Sequence, residues 1–484
     1  MSLLSWILFW PDSNNRMFLF HVFRHICIIC LLSLATSINP SVFTIYLVLL
    51  TMIEYSRRCS TPNLIFFFIT FTFGCWFAGY INMPFVLKSA PKTVIYDFLR
   101  SIFLLLAIII DRLTSKRFGF TSHVTAVFFP IIIAGCAEIL SVIDHLGITT
   151  HLTAFCNDFP DFTFLPLRLL GPGFVIMLVA FLVSYTSRWR VTRANPKAIS
   201  FFAFQFLPVS ILFVFLYKFI TKKDSVLANI GVINNYNTSN IFEHLNRIPS
   251  TINFVVIVLP LINMNASIHN SIQIISVQKN IYVIYSVQTG NNSFIYSSTP
   301  NGLFFREIIG YQKSRIPMRI LLRDMLVFDS PFGRIGAISG REMFYPEYIC
   351  SKDVDLMITF GGQSYDEGCN LAHRSARMIS QITGATRFHA SSYDITYAIN
   401  GEGEFLYKDF PTIETFPIRS FNIPIKKNRV QYSGYRIIAF GIITNILFGF
   451  VILYNIIPMK YIYNINALFY LIFSKLARSK KMIP

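Results

Sequence analysis

Long apolar runs separated by short polar segments constrain this chain more than any other feature of its sequence. A helix that crosses a bilayer needs about 20 mainly apolar residues. Charged residues make up only 14% of the chain, against roughly 25% in soluble domains. The sequence therefore predicts a polytopic α-helical membrane bundle of about eight spans. The candidate spans lie near residues 17–36, 41–53, 63–81, 94–110, 125–143, 165–185, 199–220 and 437–457.

Basic residues are distributed as in a membrane protein rather than in a nucleic-acid-binding protein. The formal net charge is +18, yet residues 222–434 hold 20 Lys or Arg and 16 Asp or Glu. The other positive charges lie in alternate loops between the apolar runs and in the C-terminal tail. Because basic loops stay in the cytoplasm, both termini are predicted to be cytoplasmic. The segment from about 224 to 432 is then predicted to face outside.

The outside segment has the alternating pattern of an α/β domain. Short β-branched or apolar runs predict strands at 229–233, 254–259, 281–287, 293–297, 335–338, 355–360 and 395–399. Helical patterns lie between them at 239–247, 266–277 and 371–384. Such alternation favours a central sheet covered by helices. The predicted domains are therefore a bundle at 1–223, an α/β domain at 224–432, and a last helix with a basic tail at 433–484.

Four short segments match, in order, the motifs of one known family. Asn253–Leu261 (NFVVIVLPL) is similar to a strand ending in Trp-Pro-Glu, and Gly310–Pro317 (GYQKSRIP) to a Tyr-x-Lys-x-x-Leu/Ile segment. Arg334–Glu347 (RIGAISGREMFYPE) is similar to a strand ending in Cys-Tyr-Glu and followed by Phe-Pro. Ile358–Arg377 is similar to a Thr-Asn-Asp-x-Trp loop followed by Gln-His-x-x-x-Ala-Arg. With its flanking apolar runs, the chain resembles the apolipoprotein N-acyltransferase family.

The resemblance implies an architecture, a location and a reaction. The architecture is a membrane bundle with an inserted nitrilase-like (carbon–nitrogen hydrolase) αββα sandwich and one last helix. The location is the bacterial inner membrane, with the nitrilase-like domain on the periplasmic side. The family transfers an acyl chain from phospholipid to the N-terminal cysteine amine of a lipoprotein, so phospholipid and a lipoprotein or lipopeptide are the expected partners. We expect no cofactor, no metal, no nucleic acid and a monomeric protein.

The family reaction needs three groups, and the matched segments supply one of them. A thiolate forms a thioester, a carboxylate takes the thiol proton, and a lysine ammonium stabilises the oxyanion. Lys313 stands at the lysine position, whereas Leu261 stands at the carboxylate position and Gly340 at the cysteine position. Leucine cannot accept a proton and glycine cannot form a thioester. The family reaction would therefore require substitute groups in this chain.

Ser339 and Glu342 are the candidate substitutes. Ser339 adjoins the empty nucleophile position, but successive strand residues point to opposite faces, so only a bulge would aim it into the pocket. Glu342 matches a glutamate two residues after the family cysteine and is a candidate base. A strand-end ion pair of Glu342 with Arg341 or Arg377 is the simpler interpretation.

Other chemistry-bearing residues have structural interpretations beside functional ones. Cys350 and Cys369 are weaker nucleophile candidates, and their spacing does not determine whether they pair. Glu138, inside an apolar run, is either functional or bonded to a neighbouring helix. His389 is most simply a hydrogen-bonded core group, and the NGEGE segment at 400–404 is a turn.

Two functions remain open from the sequence. The first is an acyltransferase of the lipoprotein type that uses a rearranged site. The second is a degenerate relative that binds lipid, lipopeptide or a membrane partner without turning it over. A channel or transporter is a weaker third hypothesis, because few charged residues lie inside the apolar runs.

Overall fold

The computed structural model describes the chain in sixteen ranges: 42–59, 63–67, 69–73, 91–119, 122–143, 170–192, 225–233, 241–262, 266–289, 292–308, 325–339, 354–361, 368–391, 396–409, 418–426 and 434–457. The helices are α1 (Val42–Arg58), α2 (Pro91–Phe118), α3 (His123–Ile143), α4 (Pro172–Thr192), α5 (Ile241–Asn246), α6 (Ala266–Lys279), α7 (Gly368–Thr383) and α8 (Gly434–Ile456). Residues 63–67 and 69–73 are helical as well. The strands are β1 (Ser225–Ile233), β2 (Phe254–Ile262), β3 (Tyr282–Thr289), β4 (Asn292–Thr299), β5 (Gly302–Ile308), β6 (Leu326–Ser330), β7 (Gly333–Ser339), β8 (Leu356–Gly361), β9 (Thr386–Ser391), β10 (Thr396–Ile399), β11 (Phe405–Asp409) and β12 (Ile418–Lys426).

Helices occupy most of the predicted spans, but the count of eight is not established. The runs 41–53, 94–110, 125–143, 165–185 and 437–457 fall on α1, α2, α3, α4 and α8, and the run 63–81 falls partly on helical residues. The runs 17–36 and 199–220 lie outside the described residues. Within the described ranges, two helical segments are long and apolar enough to cross a membrane, Val124–Ser141 and Ile438–Ile456. The eight-span bundle therefore stays a prediction.

Helix α3 packs against α2, α4 and α8, and glycines allow the close approach. A Cβ added at Gly135 of α3 would lie 2.7 Å from the ring of Phe448 on α8. Glu138 is 2% exposed, and its carboxylate adjoins Gly173 of α4 and Gly441 of α8. Small residues at helix crossings are typical of close packing between apolar helices. Glu138 thus faces the interior of the helix bundle.

A buried ion pair joins the ends of α1 and α2. Arg57 donates to both carboxylate oxygens of Asp111, from Nε and from Nη2, at 2.7 Å each. The two side chains are 1% and 0% exposed. Nη1 of Arg112 donates to the carbonyl oxygen of Ser56 at 2.5 Å. The Arg57–Asp111 ion pair and the Arg112–Ser56 hydrogen bond therefore join the last turn of α1 to α2 at two points, and both carboxylate oxygens of Asp111 accept a hydrogen bond.

Residues 225–426 form two six-stranded sheets with the same internal pattern. The strand orders are β12-β1-β2-β3-β4-β5 and β11-β10-β9-β8-β7-β6. In each sheet the three central strands in sequence, β1–β3 and β7–β9, run parallel, and their neighbours run antiparallel. Parallel strands need crossover connections, usually helical. Helices α5, α6 and α7 lie in those connections.

The side chains of the sheets show four layers. Val256 of β2 and Ile358 of β8 belong to one buried cluster between the sheets. Val255 of β2 faces the other way, into a cluster with Leu245 of α5 and Ile272 of α6. On the second sheet Met357 packs in a cluster with Ile379 and Ile382 of α7. Since each sheet is covered on both faces, the domain is an αββα sandwich, the architecture that the family resemblance implies.

Seven of the twelve described strands and all three helices of the sandwich were predicted from the sequence to within a few residues. The other five described strands were not predicted. The confirmed strands are β1, β2, β3, β4, β7, β8 and β10, and the confirmed helices are α5, α6 and α7. The missed strands are β5, β6, β9, β11 and β12. Of these, β11 (FLYKD) is an edge strand with mostly exposed or half-buried residues, so no apolar alternation marks it.

The NGEGE segment is the predicted turn between β10 and β11. Asn400 Oδ1 accepts hydrogen bonds from the backbone N–H groups of Glu402, at 3.0 Å, and Glu404, at 2.8 Å. Gly403 has a φ of +86°, a conformation that glycine adopts without steric cost. The turn is therefore built by one side chain and one left-handed glycine.

His269 of α6 packs against two tyrosines on the outer face of the first sheet. Its Nδ1 lies 2.9 Å from the Tyr285 hydroxyl, its ring lies 4.4 Å from that of Tyr296, and burial lowers its pKa. In the unfolded chain the His269 ring takes up a proton near the ordinary histidine pKa of about 6.5. In the folded protein the ring stays neutral to a lower pH. Stability is therefore expected to be complete above about pH 6.5 and to fall as the pH drops through the lowered value.

The change His269→Gln is expected to remove the loss of stability that protonation of His269 causes at acidic pH. The measurement is the unfolding midpoint as a function of pH. The change Asn270→Gln on the exposed neighbouring residue is the control and should leave the fall unchanged. Identical pH profiles for wild type and His269→Gln would contradict the expectation.

Candidate functional site

The parallel strands of both sheets end at the same edge of the sandwich. Thr386, the first residue of β9, donates to the carbonyl oxygen of Pro424 at 3.4 Å, and Pro424 pairs with Leu227 near the start of β1. The ring of Phe254, which begins β2, lies 5.5 Å from that of Phe332, just before β7. The amino ends are thus together, so the carboxyl ends are together at the opposite edge. We call this the carboxyl edge, formed by the last residues of β1, β2, β3, β7, β8 and β9.

Two of the positions predicted from sequence lie at the carboxyl edge. Leu261 is the last but one residue of β2, and Ser339 is the last of β7. Lys313, Gly340 and Glu342 lie outside the described residues. The strands that flank this gap in sequence are β5 and β6, and the end of β5 and the start of β6 both lie at this edge. Ligands in α/β sheets bind outside the carboxyl ends of the strands, so this edge is the candidate site.

Strand β2 is irregular where it reaches the carboxyl edge. Ile257 pairs with Tyr285, but Leu261 pairs with Val287, so β2 has two extra residues over this stretch. Pro260 lies within the irregular stretch, and it cannot donate a hydrogen bond to the ladder. Bulges of this kind re-aim side chains and are common next to active sites. The irregularity cannot be read from the apolar run that predicts the strand.

Strand β7 shows no such irregularity at its end. Its pairing with β8 runs without a shift from Ile335 opposite Leu356 to Ser339 opposite Phe360. A bulge was the condition under which Ser339 would be redirected into the pocket. The register offers none within β7, and Ser339 as nucleophile remains a prediction.

A buried polar cluster lies between α7 and the second sheet. Thr359 Oγ1 and His389 Nδ1 are 2.8 Å apart, and the His389 ring stacks on Tyr397 with centroids 4.9 Å apart. The Arg387 guanidinium lies 5.7 Å from the centre of the Tyr397 ring, and its Nε donates to Thr359 Oγ1 at 3.4 Å. We call these four residues the polar cluster.

Burial determines the electrostatics of the polar cluster. Arg387 is 0% exposed, and desolvation lowers its pKa while the nearby Tyr397 raises it. A buried cation over an aromatic face is stabilised more than an exposed one. The interpretation of His389 as a hydrogen-bonded core group is confirmed. Arg387 was missed, although the alternation of Arg387 and His389 with apolar residues in TRFHAS was a possible signal.

The remaining candidates are not brought into a site by the described residues. Cys350 lies outside them, and of Cys369 only the backbone is described, at the second position of α7. Nε of Arg377 is buried without a hydrogen-bond partner in the described part of the chain. Within the described ranges, no group of three or more His, Cys, Asp or Glu is placed to hold a metal ion.

Comparison with solved structures returns members of the nitrilase superfamily. Nit3 of Saccharomyces cerevisiae, of branch 10 of that superfamily, is 10% identical with a TM-score of 0.33, over 45% of this chain and 94% of Nit3. The NitFhit protein of C. elegans is 11% identical with a TM-score of 0.30, over 46% of this chain and 64% of NitFhit. No family model matches the sequence, and no curated protein matches it. These similarities are too weak to add to the layers and strand order described above.

Proposed function

We propose that this chain is a membrane protein of the apolipoprotein N-acyltransferase type whose nitrilase-like sandwich binds lipid or lipopeptide without forming a thioester. The observation that carries the proposal is the exposed apolar surface of α8, which follows the sandwich directly. Strand β12 ends at Lys426 and α8 begins at Gly434. A sandwich held this close to an apolar helix would act at a membrane surface.

The exposed side chains of α8 are apolar, as are those of helices that contact lipid acyl chains. Only 22% of the segment Ile438–Ile456 is buried, and Ile446 and Ile456 are 66% and 70% exposed. Soluble monomers rarely expose contiguous apolar surface of this extent. A bilayer would cover it at no cost, because all backbone polar groups of a helix interior are bonded within the helix.

Binding without turnover follows from the residues at the triad positions. Leu261 and Gly340 offer neither a base nor a nucleophile, and losing members of such a unit removes most of the rate, roughly 10⁴–10⁶-fold. A cleft that accepts two acyl-bearing substrates would keep its affinity for them, since apolar contacts supply most of the binding energy of such pockets. Lys313 would then contact a carbonyl or phosphate oxygen of the bound lipid.

Mass spectrometry of the full-length protein in mild detergent tests this proposal. We expect phospholipid to co-purify, and no covalent acyl adduct to form with phospholipid and a diacylated lipopeptide. The lipopeptide should gain no third acyl chain. Conversion of the lipopeptide would contradict binding without turnover, and absence of any bound lipid would contradict the lipid-binding function itself.

An enzyme with a rearranged site is the second candidate, favoured by the irregular end of β2. Because two extra residues shift the register of β2 against β3, the base position need not coincide with Leu261. In that case the lipopeptide would be converted, and Ser339→Ala or Lys313→Ala would abolish conversion. Ser330→Ala, at the end of β6, is the control that should retain it.

A further inference from the structure

Helices α2 and α8 end side by side. Nη2 of Arg117, in the last turn of α2, donates to the carbonyl oxygen of Ile457, the residue after α8. Nδ2 of Asn455 donates to Oγ1 of Thr114, about one turn earlier on α2, at 3.0 Å. The two contacts hold the last turn of α8 against the last turn of α2. Both helices therefore end at the same level of the bundle.

Aromatic rings fill one side of this contact. The ring of Tyr454 lies 5.3 Å from that of Phe118, at the end of α2, and 5.7 Å from that of Phe128 on α3. This side of the contact therefore faces α3. Aromatic side chains are enriched where membrane helices reach the headgroups, so the rings and the two helix ends fit the boundary between membrane and water.

The opposite side of the contact is an open apolar groove between the two helices. At 3.6 residues per turn, Leu113 of α2 and Ile456 of α8 both lie on the side away from the aromatic rings. Leu113 is 57% exposed, and Ile456 is 70% exposed. An acyl chain that lies along the groove would therefore have access to both side chains.

Two basic side chains lie at the end of this groove. Lys116 is exposed, and Arg117 is half-buried, with its guanidinium 5.5 Å from the centre of the Phe118 ring. Leu113 lies about one turn before both residues and between them around the helix axis. Asp111, the acidic residue closest to them in the sequence, has both carboxylate oxygens bonded in a buried ion pair, and α8 contains no acidic residue. The groove therefore joins a positive end to an apolar wall.

We propose that this groove binds an anionic phospholipid. The phosphate lies between Lys116 and Arg117, which donate charge-assisted hydrogen bonds to its oxygens. An acyl chain covers Leu113 and Ile456. A free phosphate would leave these two side chains exposed, so a lipid is the ligand that fits the whole groove. Both helices end on the predicted cytoplasmic side, where anionic lipids attract basic residues beside membrane helices. The proposal rests on the membrane location proposed above, and not on lipid binding by the sandwich.

Thermal unfolding of the full-length protein in mild detergent, with added phospholipid, tests the groove. Long-chain phosphatidylglycerol should raise the unfolding midpoint saturably, whereas phosphatidylcholine with the same chains should not. Lys116→Gln removes one charge from an exposed side chain, so the phosphatidylglycerol concentration that gives half of the rise should increase about fivefold. Lys408→Gln is the matched control, because Lys408 is an exposed lysine on β11 of the sandwich; it should bind the lipid as the wild type does.

Further readouts separate lipid binding from a structural role and from binding of free phosphate. Without added lipid, Lys116→Gln should keep the wild-type midpoint, whereas a structural role of Lys116 would lower it and overturn the proposal. Phosphatidylglycerol with six-carbon chains should bind more weakly than the long-chain lipid, because it covers less of the apolar wall. Competition by inorganic phosphate, an equal rise with phosphatidylcholine, or unchanged binding in Lys116→Gln would each overturn the lipid site.

The same variants distinguish this site from the sandwich. Lys116→Gln should not change the lipid or lipopeptide that the sandwich holds, measured by mass spectrometry of the purified protein. A variant that loses both the bound lipopeptide and the phosphatidylglycerol effect would overturn a separate site in the groove. Failure of the groove with lipopeptide still bound would leave the function proposed for the sandwich intact.

Discussion

Replacing Asp111 by alanine is expected to lower the free energy of unfolding by about 3–5 kcal/mol, because it leaves the buried Arg57 guanidinium without its carboxylate. Both side chains are almost fully buried, and both hydrogen bonds are 2.7 Å long. Removing one partner exposes the other to the full cost of an uncompensated buried charge. Unfolding of the purified protein by SDS in mixed micelles measures the loss.

Two controls separate this loss from a general effect of removing a carboxylate. Asp111→Asn keeps the shape and one acceptor oxygen and should lose less than Asp111→Ala. Asp329 and Arg334 form an exposed ion pair, with Arg334 Nε 4.0 Å from Asp329 Oδ1. Asp329→Ala removes this pair and should change the free energy of unfolding by no more than about 0.5 kcal/mol. Equal losses for Asp111→Ala and Asp329→Ala would show that the Arg57 contact does not stabilise the helix pair.

The change Gly401→Ala is expected to destabilise the sandwich by about 3 kcal/mol, at the upper end of overpacking costs. A Cβ at Gly401 would lie 2.6 Å from the backbone carbonyl carbon of Gly384 and closer still to its oxygen. Backbone atoms at the end of α7 cannot swing aside as a flexible side chain would. The turn between β10 and β11 would therefore move away from α7, and the unfolding midpoint records the cost.

Gly449 of α8 is the control for Gly401. A Cβ added at Gly449 meets no atom within 4 Å, so Gly449→Ala should be neutral or stabilising, by up to about 1 kcal/mol from helix propensity. An unchanged midpoint for Gly401→Ala would mean that the turn and the end of α7 can separate without loss.

The strands and helices that were predicted correctly share a local signal. Strand β2 is buried on both faces and reads as an uninterrupted apolar run, which is typical of parallel strands inside a covered sheet. Helices α6 and α7 carry the helical spacing in their own sequence. At the candidate site, the motif resemblance placed Leu261 and Ser339 at strand ends, and the structure puts both at the carboxyl edge.

The elements that were missed depend on partners far away in sequence. Strand β12 is recognisable only through its pairing with β1, where Lys426 lies opposite Ser225. Strand β9 carries Arg387 and His389 on a buried face, which is stable because Thr359 and Tyr397 meet them there. The periodicity of apolar residues within one segment does not indicate which distant segment it contacts.

The sequence by itself determined that the chain has apolar helices, an α/β domain with a sheet covered by helices, and a family resemblance whose triad positions hold Leu261 and Gly340. These follow from local composition, from side-chain periodicity along one segment, and from motif order. Only the tertiary structure decided that the two sheets stack as a sandwich, that their parallel strands end at one edge, and that β2 is irregular there. The physical reason is that register and burial depend on contacts between distant segments, whereas periodicity depends on neighbours along the chain.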